Sequence, residues 1–407
     1  MNSDITVTTS ADQVAVAPGY LKSDSVENGR RTLRYVSDAP IQNFFSVQSA
    51  RYEVARDRWN DVELAVYYDP AHAYNVERMT AAMKASLDYF TTNFSPFQFK
   101  QVRVLEFPAY ADFAQSFANT IPYSEGIGFI ADYRDPEKID MVTYITAHEV
   151  GHQWWGHQVI SADKQGATFL VESMAQYSAL MVMEQMYGPE QIRKFLKYEL
   201  DRYLRRRGGE VLEELPLVRV ENQPYIHYQK GGLALYLLKD QIGADKVNAA
   251  LRAFLAEYAF KSAPYPNSTD LVRRFREVAG PEHQQLITDL FENITLYDVK
   301  VLEAGAKQRP DGRWDVTLEV DARKVYADGK GAETEATLAE TFDVGVFAVE
   351  PGREGYDSKS VIAVEQRPIR SGRQTVTLVV DREPKVAGVD PFNKRIDRNS
   401  DDNLKAL

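Results

Sequence analysis

The run His148-Glu149-Val150-Gly151-His152-Gln153-Trp154-Trp155-Gly156-His157, followed by Phe169-Leu170-Val171-Glu172-Ser173-Met174, decides the reading of this 407-residue chain. Three of its six histidines fall in the first run. Its opening fits H-E-x-x-H. On a helix, positions i and i+4 share a face, so the imidazoles of His148 and His152 can reach one tetrahedral metal. Glu149 then projects beside that metal and can take a proton from its water, whose pKa zinc lowers to about 7. The alternative is a pair of ordinary helix-surface histidines. Ile145, Val150, Trp154 and Trp155 argue against it, because they give the helix the apolar faces of a buried element.

A catalytic zinc takes a third protein ligand and keeps a fourth position open. One class supplies a histidine in H-E-x-x-H-x-x-G-x-x-H. Gly156 and His157 stand at the wrong offsets, so that class is excluded. A glutamate from a following helix is the other route. Glu172 lies near the start of a helical stretch predicted over 167–187, after the small and polar loop 161–166. Glu184, further along the same stretch, is a rival on a different part of the helix surface. A glutamate at a helix N-terminus is also favoured by the dipole alone.

Outward from this centre the pattern changes twice. Residues 1–70 read as strands, with Thr-, Val- and Tyr-rich stretches at 5–9, 32–36 and 62–68 between Gly, Pro, Asn and Asp. Residues 71–293 read as mainly helical. Helices are predicted at 76–94, 140–156, 167–187, 190–206, 229–242, 244–258 and 269–279, with a strand over 99–107. From Tyr297 the period becomes two, with Trp314, Val316, Leu318 and Val320 after the turn pair Asp311-Gly312. Residues 294–393 therefore predict a β-sandwich. Residues 393–407 are polar and predict a loosely ordered tail. The expected class is multidomain α+β.

The net charge of −11 argues against nucleic acid or anionic lipid as the main partner. The chain has no cysteine, which excludes disulfides and thiolate metal sites. No apolar run approaches the ~20 residues of a membrane span. The start has no signal-peptide pattern and reads as a strand entered in mid-domain, as in a piece of a longer protein.

The stretch HEVGHQWWGHQ…FLVESMAQYSAL resembles the aminopeptidase N family of zinc peptidases, which pairs H-E-x-x-H with a downstream glutamate. Here 19 residues separate His152 from Glu172, one more than the family spacing. The extra residue is placed in the loop 157–167, since Val171 at the strict position cannot bind zinc. The family's Tyr-x-Lys-Gly is matched by Tyr228-Gln229-Lys230-Gly231. The resemblance gives Tyr228 the role of donor to the oxyanion, with Tyr225 a nearby rival. Gly128-Phe129-Ile130 matches the segment after the family's Gly-x-Met-Glu-Asn motif, which puts Glu125 at the carboxylate that grips the substrate's α-amino group. The residues around Glu125 differ from the family's, and an ordinary turn glutamate is the plain alternative.

The resemblance implies a partial N-terminal β-domain at 1–70, a thermolysin-like catalytic domain at 71–293, a β-sandwich at 294–393 and a polar tail at 394–407. It implies one zinc ion per chain, a peptide substrate and removal of N-terminal residues. An endopeptidase, or a non-catalytic peptide-sensing module, are the alternatives. The wording of 176–183, 201–217 and 390–407 further resembles a bacterial subgroup fused to a transporter-permease-like membrane region. That resemblance implies a parent protein in the membrane, with this part outside the bilayer.

Three other features have plain readings. The basic cluster Arg202, Arg205, Arg206 and Arg207 suits a helix C-terminus. Met174, Met181, Met183 and Met186 suit core filling. His157 suits either support of the metal helix or a structural role.

Overall fold

The computed structural model describes residues 1–135 and 138–407. Along the chain it is α+β, with strands first, helices in the middle and strands again at the end. It divides into two compact units, residues 1–161 with 254–265, and residues 162–253 with 266–407. Among the described residues no helix is long and apolar enough to cross a membrane.

In the first unit, β1 (Asp4–Ser10), β2 (Val14–Val16), β3 (Tyr20–Glu27), β4 (Arg30–Val36) and β5 (Gln48–Ala50) form two small antiparallel sheets, β1-β4-β3 and β2-β5. Asn28-Gly29 closes the β3–β4 hairpin with φ of 51° and 74°, the paired left-handed backbone that a two-residue turn demands. β6 (Glu53–Trp59) and β7 (Val62–Tyr68) pair antiparallel, and β7 then runs parallel to β8 (Gln101–Phe107) and β8 to β9 (Thr120–Ser124). The break expected at residue 70 therefore runs through a hydrogen-bonded sheet. The crossover from β7 to β8 is α1 (Val76–Asn93), which packs beside α2 (Met141–Gly151). Its apolar residues Met79, Met83, Leu87 and Phe90 fall at helical spacing and are all buried.

The second unit holds α3 (Met174–Tyr187), α4 (Ile192–Gly208), α5 (Gly231–Ile242), the beginning of α6 (Ala244–Tyr258), α7 (Ser268–Val278) and α8 (Gln284–Ile287). Its strands are β10 (Ile294–Gln308), β11 (Trp314–Ala327), β12 (Glu333–Ala336), β13 (Ala339–Phe347), β14 (Val361–Arg370), β15 (Gly372–Val380), β16 (Val386–Val389) and β17 (Leu404–Ala406). One sheet runs β10-β11-β12 with β15 on β11, and the other runs β14-β13-β16-β17. Val316, Leu318 and Val320 from the first share one core with Phe342, Val344 and Val346 from the second, which makes a sandwich.

The loosely ordered tail expected at 393–407 is not observed. β17 pairs with β16, and Asp397 accepts the backbone N–H of Val299 at 3.1 Å. Arg395 is buried, with its guanidinium 3.6 Å from the Phe342 ring centre. Composition misled here because these polar groups find partners in the sandwich rather than in water.

Candidate metal centre

The helix that carries His148 and ends at His152 is built from both ends. The Asp140 side chain caps α2 by accepting the Thr143 N–H at 3.0 Å and the Thr143 hydroxyl at 2.6 Å. At the other end Trp154 and Trp155 anchor the chain against α1. Their rings meet Phe90 at 5.4 Å and Phe94 at 5.3 Å, and the Trp154 indole donates to the Ser95 carbonyl at 3.0 Å. Gln153 is fully buried and locks the same corner, accepting from the Asn119 N–H at 2.8 Å and donating to Ser116 Oγ at 2.7 Å. The helix thus stops at Gly151 rather than at 156, and His152 sits at its C-cap.

His148 and His152 are 8% and 6% exposed, and their Nε2 atoms are 3.1 Å apart. Two nitrogens held at about 2.0–2.1 Å by one tetrahedral zinc stand ~3.3 Å apart, so the pair is nearly at ligand spacing. His152 Nδ1 is 3.0 Å from the Trp155 carbonyl oxygen. A carbonyl only accepts, so Nδ1 carries the proton and the Nε2 lone pair is left for a metal. The negative end of the α2 dipole also lies here and favours a cation. The two Nε2 atoms, at this spacing, therefore fit zinc. Glu149, also buried, follows on the same turn, and its carbonyl accepts the Ser116 hydroxyl at 2.9 Å. His157 donates its backbone N–H to the His152 carbonyl at 3.1 Å, and burial pushes its imidazole down to about 4.

Glu125 opens a π-helical turn, Glu125–Phe129, directly after β9. Its Oε1 accepts the Ala109 N–H at 2.9 Å. Gly128 is required there, since a Cβ would lie 2.9 Å from the Tyr123 ring.

In the second unit Glu172 lies in a π-helical turn, Phe169–Ser173, that leads into α3. Gly166 sets the start of that segment. It has φ +83°, and a Cβ there would sit 2.3 Å from both Ser268 Oγ and the Val218 carbonyl oxygen. The rival Glu184 is committed elsewhere, accepting from Lys239 Nζ at 2.7 Å and from the Tyr236 hydroxyl at 2.6 Å.

Tyr228 lies in a third π-helical turn, Tyr225–Lys230, that opens α5. Such turns recur at functional sites because they re-aim side chains. Tyr225 is buried and stacked on Tyr203 with ring centres 5.9 Å apart, whereas Tyr228 is partly exposed. The segments carrying Glu172 and Tyr228 are fastened to each other, since the Ser173 hydroxyl donates to the His227 carbonyl at 2.5 Å. Gly231 permits that approach, as a Cβ would meet Ser173 Oγ at 2.2 Å.

Sequence reading passed over Lys230, although it stands inside the quoted Tyr-x-Lys-Gly. It is buried against Glu214 at 3.1 Å, and Glu214 also accepts Arg207 Nε at 2.6 Å and the Tyr203 hydroxyl. Arg207 is therefore a structural ion-pair partner. Arg202 lies over the Tyr198 ring at 5.1 Å. Met174, Met181 and Met183 are buried, while Met186 is 40% exposed.

The sequence matches the description "Peptidase family M1 domain" over residues 74–293. "Aminopeptidase M1" of Arabidopsis thaliana is 20% identical over 273 residues, covering 64% of this chain and 30% of that protein. The M1 zinc metallopeptidase from Deinococcus radiodurans superposes with a TM-score of 0.55 at 21% identity, covering 71% of this chain and 63% of that one. Aminopeptidase A of Legionella pneumophila, in complex with aspartic acid, gives 0.60 at 15% identity, covering 96% of this chain and 44% of that one. The chain spans less than half the length of the curated relatives it matches. The family match covers more than half of the sequence and brackets every candidate ligand, and the chain belongs to peptidase family M1.

Proposed function

We propose that this chain is the catalytic part of a zinc-dependent metallopeptidase that removes N-terminal residues from peptides. The observation that carries the reading is the His148–His152 pair, with Nε2 atoms 3.1 Å apart and the His152 tautomer set by the Trp155 carbonyl. Glu172 is the proposed third ligand, on the strength of its spacing from His152, its place at a helix start and the commitment of Glu184 to Lys239.

Zinc, when bound, polarises the scissile carbonyl and acidifies a water at the same centre. Glu149 accepts the proton of the attacking water and passes it to the departing amine. The Tyr228 hydroxyl donates to the oxygen that gains negative charge as the carbonyl becomes tetrahedral. Glu125 pairs with the substrate's α-ammonium, which sets the scissile bond one residue in. In this reading residues 71–293 are the catalytic domain, flanked by the β-domain and the sandwich.

Paired peptides that differ only in N-acetylation test the proposal. Cleavage of the free form and not the blocked form is expected, and equal cleavage of both would replace it with an endopeptidase. Attachment to a membrane-spanning region, which the resemblance of 176–183, 201–217 and 390–407 implies, belongs to the same proposal. Fractionation of the full-length protein checks it, with recovery in the membrane pellet expected.

A further inference from the structure

Glu125 is placed by more than its own turn. β7 ends in a tight connection, Asp69–His72, that leads into the single 3₁₀ turn Ala73–Asn75 and then α1. Asn75, buried at the end of that turn, donates Nδ2 to the carbonyls of Gly128 at 2.7 Å and Ala131 at 2.9 Å. The 3₁₀ turn directly after His72 thus grips the turn carrying Glu125. His72 Nδ1 is hydrogen-bonded to Glu106 Oε1 and stands 3.8 Å from Glu125 Oε2. Glu106 is 4% exposed, at the buried end of β8, and its other oxygen accepts the Asp69 N–H at 2.6 Å. One ligand-type atom from each of His72, Glu106 and Glu125 lies within 4.8 Å of the others.

Each carboxylate therefore has one oxygen tied to a backbone amide, Asp69 for Glu106 and Ala109 for Glu125, with the other turned toward one imidazole nitrogen. We propose that His72, held by Glu106, is a positioning residue that fixes the Glu125 carboxylate for the substrate's α-ammonium. The inference rests on Glu125 being that anchor. The charged groups facing His72 are Glu106, Asp69 and Glu125, and the Glu106 hydrogen bond is the largest cause that raises its pKa. Glu106 takes the hydrogen bond of the His72 nitrogen, and Glu125 Oε2 rests 3.8 Å from that nitrogen with no hydrogen bond to it. Its carboxylate is thus seated against the imidazole and stays open to an incoming ammonium.

The test is steady-state kinetics of the zinc-loaded protein on free-amino dipeptide amides for His72→Ala, His72→Asn and Glu125→Gln. His72→Ala is expected to raise KM about 10-fold with kcat within about two-fold, because only ground-state placement of the ammonium is lost. His72→Asn, whose amide nitrogen occupies the place of Nδ1, is expected to restore KM to within about three-fold of the parent. Glu125→Gln is expected to raise KM more than His72→Ala does. An unchanged KM in His72→Ala beside a raised KM in Glu125→Gln overturns this inference and leaves the anchor standing. An unchanged KM in Glu125→Gln overturns the anchor and the inference with it. A fall in kcat alone in His72→Ala, with KM unmoved and no recovery in His72→Asn, marks a structural role and also overturns the inference.

Discussion

Gly231→Ala puts the packing of the turn that carries Tyr228 under direct test. Gly231 has ordinary helical torsions, φ −61° and ψ −46°, at the start of α5. In an open helix the change would stabilise by about 1 kcal/mol. Here the new methyl would lie 2.2 Å from Ser173 Oγ and 2.5 Å from Ser173 Cβ. Ser173 is fully buried and donates to the His227 carbonyl, so it has no empty space to swing into. Reaching ordinary contact requires the two segments to part by about 1 Å, and overpacking of this kind costs about 1–3 kcal/mol. The net expectation is a loss of about 2 kcal/mol, read as a lower urea midpoint with an unchanged slope. The residues on either side of the clash are Glu172 and Tyr228, one residue from Ser173 and three from Gly231. A displacement of this size should lower kcat/KM by up to about 100-fold. Ser173→Gly removes both clashing atoms, so the double variant should recover part of the stability and part of the rate. A Gly231→Ala protein as stable as the parent, or more so, would refute the reasoning.

Four further outcomes follow from the same structure. Glu149→Gln should keep its zinc and lose about 100- to 10,000-fold in turnover, measured by metal analysis beside peptide hydrolysis. Tyr228→Phe should lower kcat by about 100- to 1,000-fold, whereas Tyr225→Phe, at a ring stacked on Tyr203, should stay within a few-fold. Lys230→Met strands part of the buried charge of Glu214 and should cost about 3 kcal/mol in urea unfolding, with Arg207 limiting the damage. Asp397 is buried, and its carboxyl is pushed up to about 7, mainly by desolvation. The folded state then holds a proton that the unfolded chain has released above about pH 4. Its contribution to stability is present below that pH and is lost as pH rises toward 7, by at most about 4 kcal/mol. Asp397→Asn should flatten this slope in pH-dependent thermal melts.

Much of the architecture was legible because periodicity reports burial. The apolar spacing of Val76–Asn93 and the alternation of Trp314–Val320 each describe one face turned to a core, and each element formed as expected. The helix of His148 and His152 was legible from its apolar faces, and the structure buries it with the two Nε2 atoms 3.1 Å apart. What escaped was long-range pairing. Nothing local in Val62–Tyr68 says that it will run parallel to Gln101–Phe107 across the expected boundary at residue 70. The polar tail read as loose because its partners, Val299 and Phe342, lie far away in sequence. Lys230 and His72 were passed over for a related reason. A lone lysine or histidine looks like surface until the structure brings Glu214 or Glu106 against it.

The most direct test of the central claim is zinc per chain measured by mass spectrometry, paired with hydrolysis of free-amino peptide substrates before chelation, after it, and after zinc is returned. The account predicts one zinc per chain and hydrolysis that disappears and returns with the metal. A chain that binds no zinc, or one whose hydrolysis survives complete removal of the metal, would contradict it.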